Sequence, residues 1–222
     1  MRVLGLFLTL SGVAVLFPFG YGAAQESIPL PPSRSAGNVS VEEAIHRRRS
    51  IRQFTDAGLD LKEVGQLLWA AQGITSPATG FRAAPSAGAT YPLEVYLIAG
   101  KVKDLDPGVY RYLPAEHRLV RVREGDLRRP LSEAALGQSP IREAPTTFLI
   151  VAVYQRTVRR YGGRAERYVH MEAGHAAQNV ALQAVALGLG SVVIGAFQDN
   201  EVKRAVGLGR EEEPLYLIPV GR

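Results

Sequence analysis

The sequence predicts an α+β fold in which helices pack on a central mixed sheet. The chain has 222 residues, 46% of them hydrophobic and 21% charged, which is the balance of a globular domain with one substantial core. Apolar residues recur with helical spacing in some stretches and as extended β-branched runs in others. Helices and strands do not alternate strictly, and this order favours α+β over a doubly wound parallel sheet.

Residues 1–24 resemble a secretory signal peptide. Arg2 is followed by an apolar run from Val3 to Phe17 and then by small residues that end at Ala24, the order of a leader cleaved after Ala24. The run is close to the minimum of roughly 17 residues that spans a bilayer, so an uncleaved membrane anchor remains open. We therefore expect an exported protein, periplasmic or extracellular, that touches a membrane only if this leader is kept.

Residues 25–38 contain three prolines and three serines without a periodic pattern, so they are predicted to be a linker before a domain at residues 39–222. Ser40 and Glu43 are spaced as a capping box that opens a short helix. The next helix, in residues 59–74, places its apolar residues on one face and stops at Gly73.

The rest of the domain mixes strands and helices. A continuous β-branched run at residues 146–154 predicts a buried central strand, and an Ala- and Gly-rich helix of about six turns fills residues 164–190, where other elements can approach it closely. The remaining predicted strands are 93–100, 108–114, 117–122, 191–197 and 214–221, and the remaining predicted helices are 126–136 and 200–206.

Composition and spacing exclude several chemistries. The chain has no cysteine, so it has no disulfide, thiolate nucleophile or sulfur-ligated metal. The net charge of +5 is spread among interspersed acids, which argues against a nucleic-acid surface. His170 and His175 lie about 140° apart around a helix and cannot share one metal. The glycine-rich turn at 188–195 follows a helix and opens a strand, the reverse of a dinucleotide motif.

A basic segment follows the first predicted helix, in the stretch RRRSIRQF at residues 47–54. Guanidinium groups and a hydroxyl can bind a phosphate through charge-assisted hydrogen bonds. The same pattern fits a solvated helix end whose arginines complement the helix dipole, and local chemistry alone leaves both interpretations open. The residues that would converge on an anion are Arg48, Arg49, Ser50 and Arg52.

Two further stretches could bring backbone groups close to a flat ligand. Small residues at Pro85, Ser86, Ala87 and Gly88 form a turn that could cradle a planar molecule, or a plain interface loop. Gly195 and Ala196 follow a predicted strand and present backbone rather than side chains, which suits either ring recognition or tight sheet packing.

Together these stretches resemble the FMN-dependent nitroreductase family from about residue 39 to the C-terminus, and most closely its SagB-type branch of thiazoline and oxazoline peptide dehydrogenases. The matching stretches are RRRSIRQF, PSAGATYPLEVY, the run from Gly174 to Phe197 and the closing PLYLIPVGR. The resemblance implies a three-layer α-β-α fold and a homodimer with FMN at the interface. NAD(P)H would be an electron donor for such an enzyme, although an exported protein leaves the donor open.

The resemblance also assigns roles. It implies that Arg48, Arg49, Ser50 and Arg52 hold the flavin phosphate and ribityl chain, and that the loop from Pro85 to Gly88 contacts the flavin of the partner subunit. Gly195 and Ala196 would place backbone N–H groups near flavin N5. Arg222 would substitute for basic residues that follow the last strand in many family members. We assign no catalytic side chain and no metal.

The implied activity is hydride transfer through flavin N5 to or from a small conjugated substrate, such as a nitroaromatic or a quinone. One alternative is a SagB-type dehydrogenase that oxidises azoline rings in a modified peptide. An alternative from another class is a flavin-binding module without turnover.

Overall fold

The computed structural model describes residues 27–222. The predicted signal peptide and its cleavage point after Ala24 lie outside these residues. In the described part of the chain, no helix has the length and apolar character needed to cross a bilayer.

Helices and strands follow most of the predicted order. The helices are α1 (Val41–Arg47), α2 (Leu61–Gln72), α3 (Arg128–Ala134), α4 (Ser139–Glu143), α5 (Gln155–Tyr161), α6 (Ala165–Ala186) and α7 (Asp199–Val206). The strands are β1 (Ser27–Pro29), β2 (Ile74–Ser76), β3 (Phe81–Arg82), β4 (Leu93–Ala99), β5 (Gly108–Leu113), β6 (Arg118–Glu124), β7 (Thr146–Ala152), β8 (Gly190–Ser191) and β9 (Glu213–Gly221). Short 3-10 turns occupy Ala87–Ala89 and Gly162–Arg164. The sequence predicted neither α4 nor α5.

Capping explains where the first two helices begin. The Ser40 side chain accepts a hydrogen bond from the backbone N–H of Glu43 at 3.1 Å, but the Glu43 carboxylate pairs with Arg47 instead of completing the predicted capping box. A complete capping box opens α2, where Asp60 and Glu63 each accept a hydrogen bond from the other's backbone N–H. The predicted helix stop at Gly73 is confirmed.

Seven strands form one sheet in the order β1-β6-β5-β4-β7-β9-β8. Every pairing between these strands is antiparallel, so the expected mixed sheet is an antiparallel one. Parallel contacts occur in the isolated bridges Ser50–Ser191 and Leu59–Val102. A parallel pair needs a crossover that returns the chain to the starting end of the sheet, whereas β4, β5 and β6 are joined by short hairpins.

The predicted linker contributes to the domain. Ile28 pairs with Leu119 in the β1–β6 ladder, and Leu30 is buried. Gln66 accepts a hydrogen bond from the backbone N–H of Arg34 at 2.8 Å and donates one to the carbonyl of Arg34 at 3.0 Å. The prolines and the absence of a periodic pattern predicted a linker, but they did not indicate that Ile28 and Leu30 lie against the sheet.

Helices cover both faces of the sheet, as a three-layer α-β-α arrangement requires. Val95 and Leu97 of β4 pack with α2 and α6, while the alternating residues Tyr96 and Ile98 pack with α3, α4 and α7. This alternation is the two-residue period of a strand that is buried on both faces. The long helix α6 lies on the same face of the sheet as α2, and its buried residues between Val169 and Ala184 pack in that part of the core.

Candidate functional site

The basic segment, residues 48–52, runs along the edge strand β8. Ser50 forms a parallel bridge with Ser191, and the Ile51 N–H donates to the Ser191 carbonyl at 2.9 Å. This approach depends on Gly190, because a Cβ there would lie 2.8 Å from the Ile51 Cβ. The glycine therefore fixes the segment against the sheet and leaves the exposed Ser50 hydroxyl at its edge.

The arginines of this stretch differ in what they bind. Arg47 pairs with Glu43 at 2.7 Å, and Nη1 of Arg49 donates to the carbonyls of His46 and Arg48 at 2.9 and 2.7 Å. These carbonyls lie at the negative end of α1, so Arg49 stabilises the helix end. Within residues 27–222, the guanidinium groups of Arg48 and Arg52 form no hydrogen bond or ion pair. Arg48 and Arg52 are thus free to bind an anion.

The exposed residues Gly195 and Ala196 follow the edge strand β8. Ile194 exchanges both backbone hydrogen bonds with Leu217, at 2.8 and 2.9 Å, and the Ala196 carbonyl accepts a bond from Gln138 at 2.8 Å. The predicted strand at 191–197 is therefore limited to Ser191 and an isolated bridge. Ser191 pairs with Val220, three residues beyond Leu217, so Ile194, the residue before Gly195, lies about 10 Å along β9 from Ser191, the bridge partner of Ser50.

The loop 85–91 precedes β4 and has an unusual backbone. Gly88, Ala89 and Tyr91 have positive φ angles of 58°, 52° and 46°. For a non-glycine residue this conformation costs about 1–2 kcal/mol, so other contacts must hold it. One of them is internal, because the Ser86 hydroxyl accepts a hydrogen bond from the Tyr91 N–H at 2.9 Å.

Helix α5 holds the same loop from outside. Arg160 donates to the Gly88 carbonyl at 3.1 Å, and the Thr90 and Thr157 hydroxyls are 2.8 Å apart. Arg156 donates to the Tyr91 carbonyl at 3.0 Å. The sequence did not predict this helix, although the run of Arg159, Arg160 and Tyr161 before two glycines is an ordinary helix end.

A nearly buried carboxylate anchors Arg156. Glu94 lies on β4, and its side chain is 10% exposed. It forms ion pairs with Arg156 and, at 3.1 Å, with Arg111 of β5. Sequence reasoning missed this group, and the available signal was a single acidic residue inside the otherwise apolar strand LEVYLIAG. The carboxylate joins the sheet to α5 and, through Arg156, to the loop 85–91.

A second buried acid lies behind the loop. Glu172 of α6 is 2% exposed, and burial raises the pKa of its carboxyl to about 7, an effect that the Ser86 hydroxyl, the Arg82 guanidinium and Gln72 oppose. Arg82 in turn donates to the Gln72 side-chain oxygen at 2.9 Å and lies 4.4 Å over the Tyr91 ring.

Within a single subunit, the loop 85–91 and the basic segment lie apart. Ser86 approaches α6 at Glu172, whereas the start of α1 shares a groove with Asn179 and Gln183. The axial rise from residue 172 to residue 183 is about 16 Å. The two predicted parts of the site therefore lie at different ends of α6.

Arg222 is already engaged by the protein. Its guanidinium donates to the Gly58 carbonyl at 2.7 Å and forms an ion pair with Glu63 near the start of α2. The sequence could not show this pair, because 159 residues separate the partners. Because the Arg222 guanidinium is bound to these two partners, the structure offers no support for the expectation that it binds a phosphate.

Aromatic residues near α5 pair with their neighbours. Tyr161 and Tyr168 stack edge to face with centroids 5.1 Å apart, and the Tyr154 hydroxyl lies 2.6 Å from Nε2 of His170. His170 and His175 belong to no metal-binding set, and the described residues include no group of three or more His, Cys, Asp or Glu side chains that could hold a metal.

Comparisons with known proteins agree on one family. A model described as the nitroreductase family matches residues 45–222. The MJ1384 protein of Methanocaldococcus jannaschii, which is named as a nitroreductase, is 46% identical over 184 residues, covering 83% of this chain and 91% of that protein. The microcin B17-processing protein McbC of Escherichia coli is 28% identical over 196 residues, covering 84% of this chain and 72% of McbC.

A solved structure extends this likeness to the fold. A chain of the E. coli microcin synthetase McbBCD complex with truncated pro-MccB17 bound superposes with a TM-score of 0.68 at 25% identity, covering 98% of this chain and 84% of that chain. The predicted nitroreductase-like α+β fold is therefore confirmed.

Proposed function

The chain belongs to the nitroreductase family of oxidoreductases, and from this premise we propose that it is an FMN-dependent enzyme that transfers a hydride to or from a small conjugated substrate, of the nitroaromatic or quinone type. We propose further that it acts as a homodimer with FMN at the interface. Bound FMN supplies two-electron chemistry at N5, and the protein supplies binding, orientation and electrostatics.

The observation that carries this proposal is the pair of free guanidinium groups at Arg48 and Arg52. Arg47, the neighbouring arginine, is paired with Glu43. Arg48 and Arg52 have no carboxylate partner among the described residues, and the exposed residue Ser50 lies between them in the sequence. Two guanidinium groups and a hydroxyl match the charge and the acceptor oxygens of a phosphate monoester. These residues fit the phosphate of FMN.

The exposed backbone at Gly195 and Ala196 supports the same orientation. It follows Ile194, which lies about 10 Å along β9 from Ser191, the bridge partner of Ser50, and no side chain larger than a methyl group projects from it. We propose that the backbone N–H groups at this position form hydrogen bonds with the edge of the flavin ring. Arg49 and Arg222 would contribute indirectly, because they stabilise the end of α1 and the junction of α2 with the last strand.

An apolar surface on and around α1 supports the homodimer. Val41 and Ile45 are 66% and 57% exposed, and Phe81 of the β2–β3 hairpin is 55% exposed. A groove of about 350 Å³ lined by Trp69 lies between α1 and α6. Val41 lines this groove, and exposed apolar surface beside a groove is typical of a protein interface. A second subunit there would let the loop 85–91 of one chain serve the basic segment of the other, since a single chain keeps them apart.

An absorption spectrum of the purified protein tests the proposal. We expect a yellow protein whose flavin bands are bleached by NAD(P)H or dithionite and return when a quinone or nitroaromatic is added. A colourless protein that does not take up added FMN would overturn the proposal.

A second candidate function is the oxidation of azoline rings in a modified peptide. It is favoured by the likeness to McbC, a microcin B17-processing protein. The two functions separate by mass spectrometry, because a dehydrogenase removes two hydrogens from each azoline of a synthetic peptide and a general reductase leaves it unchanged. A protein that binds FMN but supports neither reaction would instead be the flavin-binding module of our third alternative.

We propose that the protein is exported, with the leader removed after Ala24. The experiment is an intact-mass measurement of the protein expressed from its full gene and recovered by cell fractionation. A periplasmic or secreted form that begins at Gln25 supports export, and a full-length form in the cytoplasm contradicts it.

A further inference from the structure

Glu172 and its neighbours form a buried polar cluster behind the loop 85–91. Glu172 and Gln72 are 2% and 1% exposed. Oε1 of Glu172 and Nε2 of Gln72 have no hydrogen-bond partner of good geometry within residues 27–222. A buried polar atom without a partner costs about 1–3 kcal/mol, so an acid at this position in an otherwise apolar helix layer requires an explanation.

The cluster reaches the loop by two routes. On one side, α6 packs against the turn Ala87–Ala89, and the neighbouring Ser86 hydroxyl lowers the pKa of the Glu172 carboxyl. The Ser86 oxygen accepts the bond from the Tyr91 N–H, and its O–H has no acceptor among the described residues. On the other side, Arg82 is bound to Gln72 at 2.9 Å and stacks on the Tyr91 ring. Both routes end at Tyr91, a non-glycine residue held at a φ of 46°.

We propose that Glu172 is a positioning residue that fixes the loop 85–91: its unpartnered oxygen accepts a hydrogen bond from the Ser86 hydroxyl and thereby orients the Ser86 oxygen toward the Tyr91 N–H. The hydroxyl is then directed inward, and the loop presents its backbone to the outside. This inference rests on the proposed flavin site for its functional meaning, because the loop 85–91 belongs to that site.

The charge of Glu172 controls the strength of this contact. An ionised carboxylate accepts a hydrogen bond about twice as strongly as a neutral group, so the contact with Ser86 strengthens when Glu172 loses its proton. Among the charged groups of the described residues, Arg82 of β3 is the one that acts on this carboxyl, while Gln72 of α2 and Ser86 of the loop contribute neutral dipoles. Since the pKa of Glu172 lies at about 7, the contact changes strength near neutral pH.

Hydrogen–deuterium exchange of the flavin-free protein tests the inference without any activity measurement. The probe is the Tyr91 amide, followed between pH 5.5 and 8.5 and divided by the intrinsic exchange rate. In the wild-type protein we expect protection to rise about tenfold through neutral pH, the worth of one charge-assisted bond. Glu172→Gln keeps the shape but removes the ionisation, so its profile should be flat. Ser86→Ala should lose the protection at every pH.

The double variant separates positioning from simple packing. If Glu172 acts through Ser86, adding Glu172→Gln to Ser86→Ala leaves the Tyr91 exchange rate unchanged. Peptides from β7 serve as the control for global unfolding, because that strand is fully buried. A pH step that persists in Glu172→Gln, or two substitutions whose effects simply add, would overturn the inference. Failure of FMN to bind would overturn the proposed function and leave this exchange result intact.

Discussion

The basic segment and the loop 85–91 differ in how firmly the rest of the protein binds them. Arg48 and Arg52 form no hydrogen bonds or ion pairs among the described residues, whereas the loop is held at Gly88, Thr90 and Tyr91 by bonds from α5. Groups that bind a charged ligand by their side chains gain most when no protein partner competes for them. A loop that offers backbone gains most when its conformation is fixed beforehand. The difference teaches which substitutions should impair binding and which should impair order.

The largest expected effect is on the free arginines. The double substitution Arg48→Ala and Arg52→Ala removes two charge-assisted contacts, so we expect FMN affinity to fall by about 100-fold or more. Arg47→Ala is the matched control, because Arg47 is committed to Glu43. Fluorescence titration of the flavin-free protein measures both. Equal losses in the double variant and in the control would remove the distinction between free and paired arginines.

The second effect is the dependence of stability on pH at Glu172. The folded-state pKa of about 7 lies above the ordinary value of 4.5. The protonated Glu172 carboxyl therefore contributes its full share of the free energy of unfolding below pH 4.5, and this contribution is lost as the pH rises through about 7. The loss amounts to about 3 kcal/mol.

Urea unfolding at several pH values measures this loss. Because Glu172→Gln cannot ionise, it should gain stability relative to the wild-type protein between pH 5 and pH 8. Parallel pH curves for the two proteins would contradict the assignment.

The third effect concerns the contact between α5 and the loop. Arg156→Ala leaves the nearly buried Glu94 with Arg111 as its remaining partner and frees the Tyr91 carbonyl. We expect a loss of about 2 kcal/mol in the free energy of unfolding and faster amide exchange in the loop. Arg159→Ala is the control on the same helix, since Arg159 is exposed. If both variants unfold at the same urea concentration, Arg156 does not hold the loop.

The smallest effect compares two glycines with similar backbone angles. Gly88 and Gly80 have φ values of 58° and 71°, but a Cβ on Gly88 would lie 2.5 Å from the Tyr161 hydroxyl, whereas a Cβ on Gly80 meets nothing within 4 Å. Both alanine variants carry the backbone strain, and Gly88→Ala adds the clash. We expect it to lose about 1 kcal/mol more than Gly80→Ala, as measured by thermal unfolding. An equal loss would show that the loop has room to move away from α5.

The fold was largely predictable because its signals are local. Apolar spacing on one face located α2, extended apolar runs located β4 and β7, and Ala and Gly content located α6. Ser40 marked the start of α1 and Gly73 the end of α2. These patterns depend on neighbours within a few residues. The antiparallel direction of the sheet was not predictable, because it depends on which strands become neighbours after distant segments meet. The same reason explains β1, whose partner Leu119 is far along the chain from Ile28.

In the candidate site, too, local sequence signals were predictable and contacts between distant segments were not. Arg48, Ser50 and Arg52 could be found as a basic cluster, but only the structure separates them from Arg49, which binds carbonyls of α1. The pairing of Arg222 with Glu63, the Glu94 ion pairs and the burial of Glu172 all join residues that are distant in sequence. Spacing cannot report such contacts.

The most direct test of the central claim is the ratio of FMN to riboflavin affinity, since these ligands differ by the phosphate alone. If Arg48 and Arg52 bind the phosphate, the wild-type protein prefers FMN strongly, and the Arg48→Ala, Arg52→Ala protein binds both ligands with nearly equal, weak affinity. A double variant that keeps the wild-type preference for FMN would contradict the account.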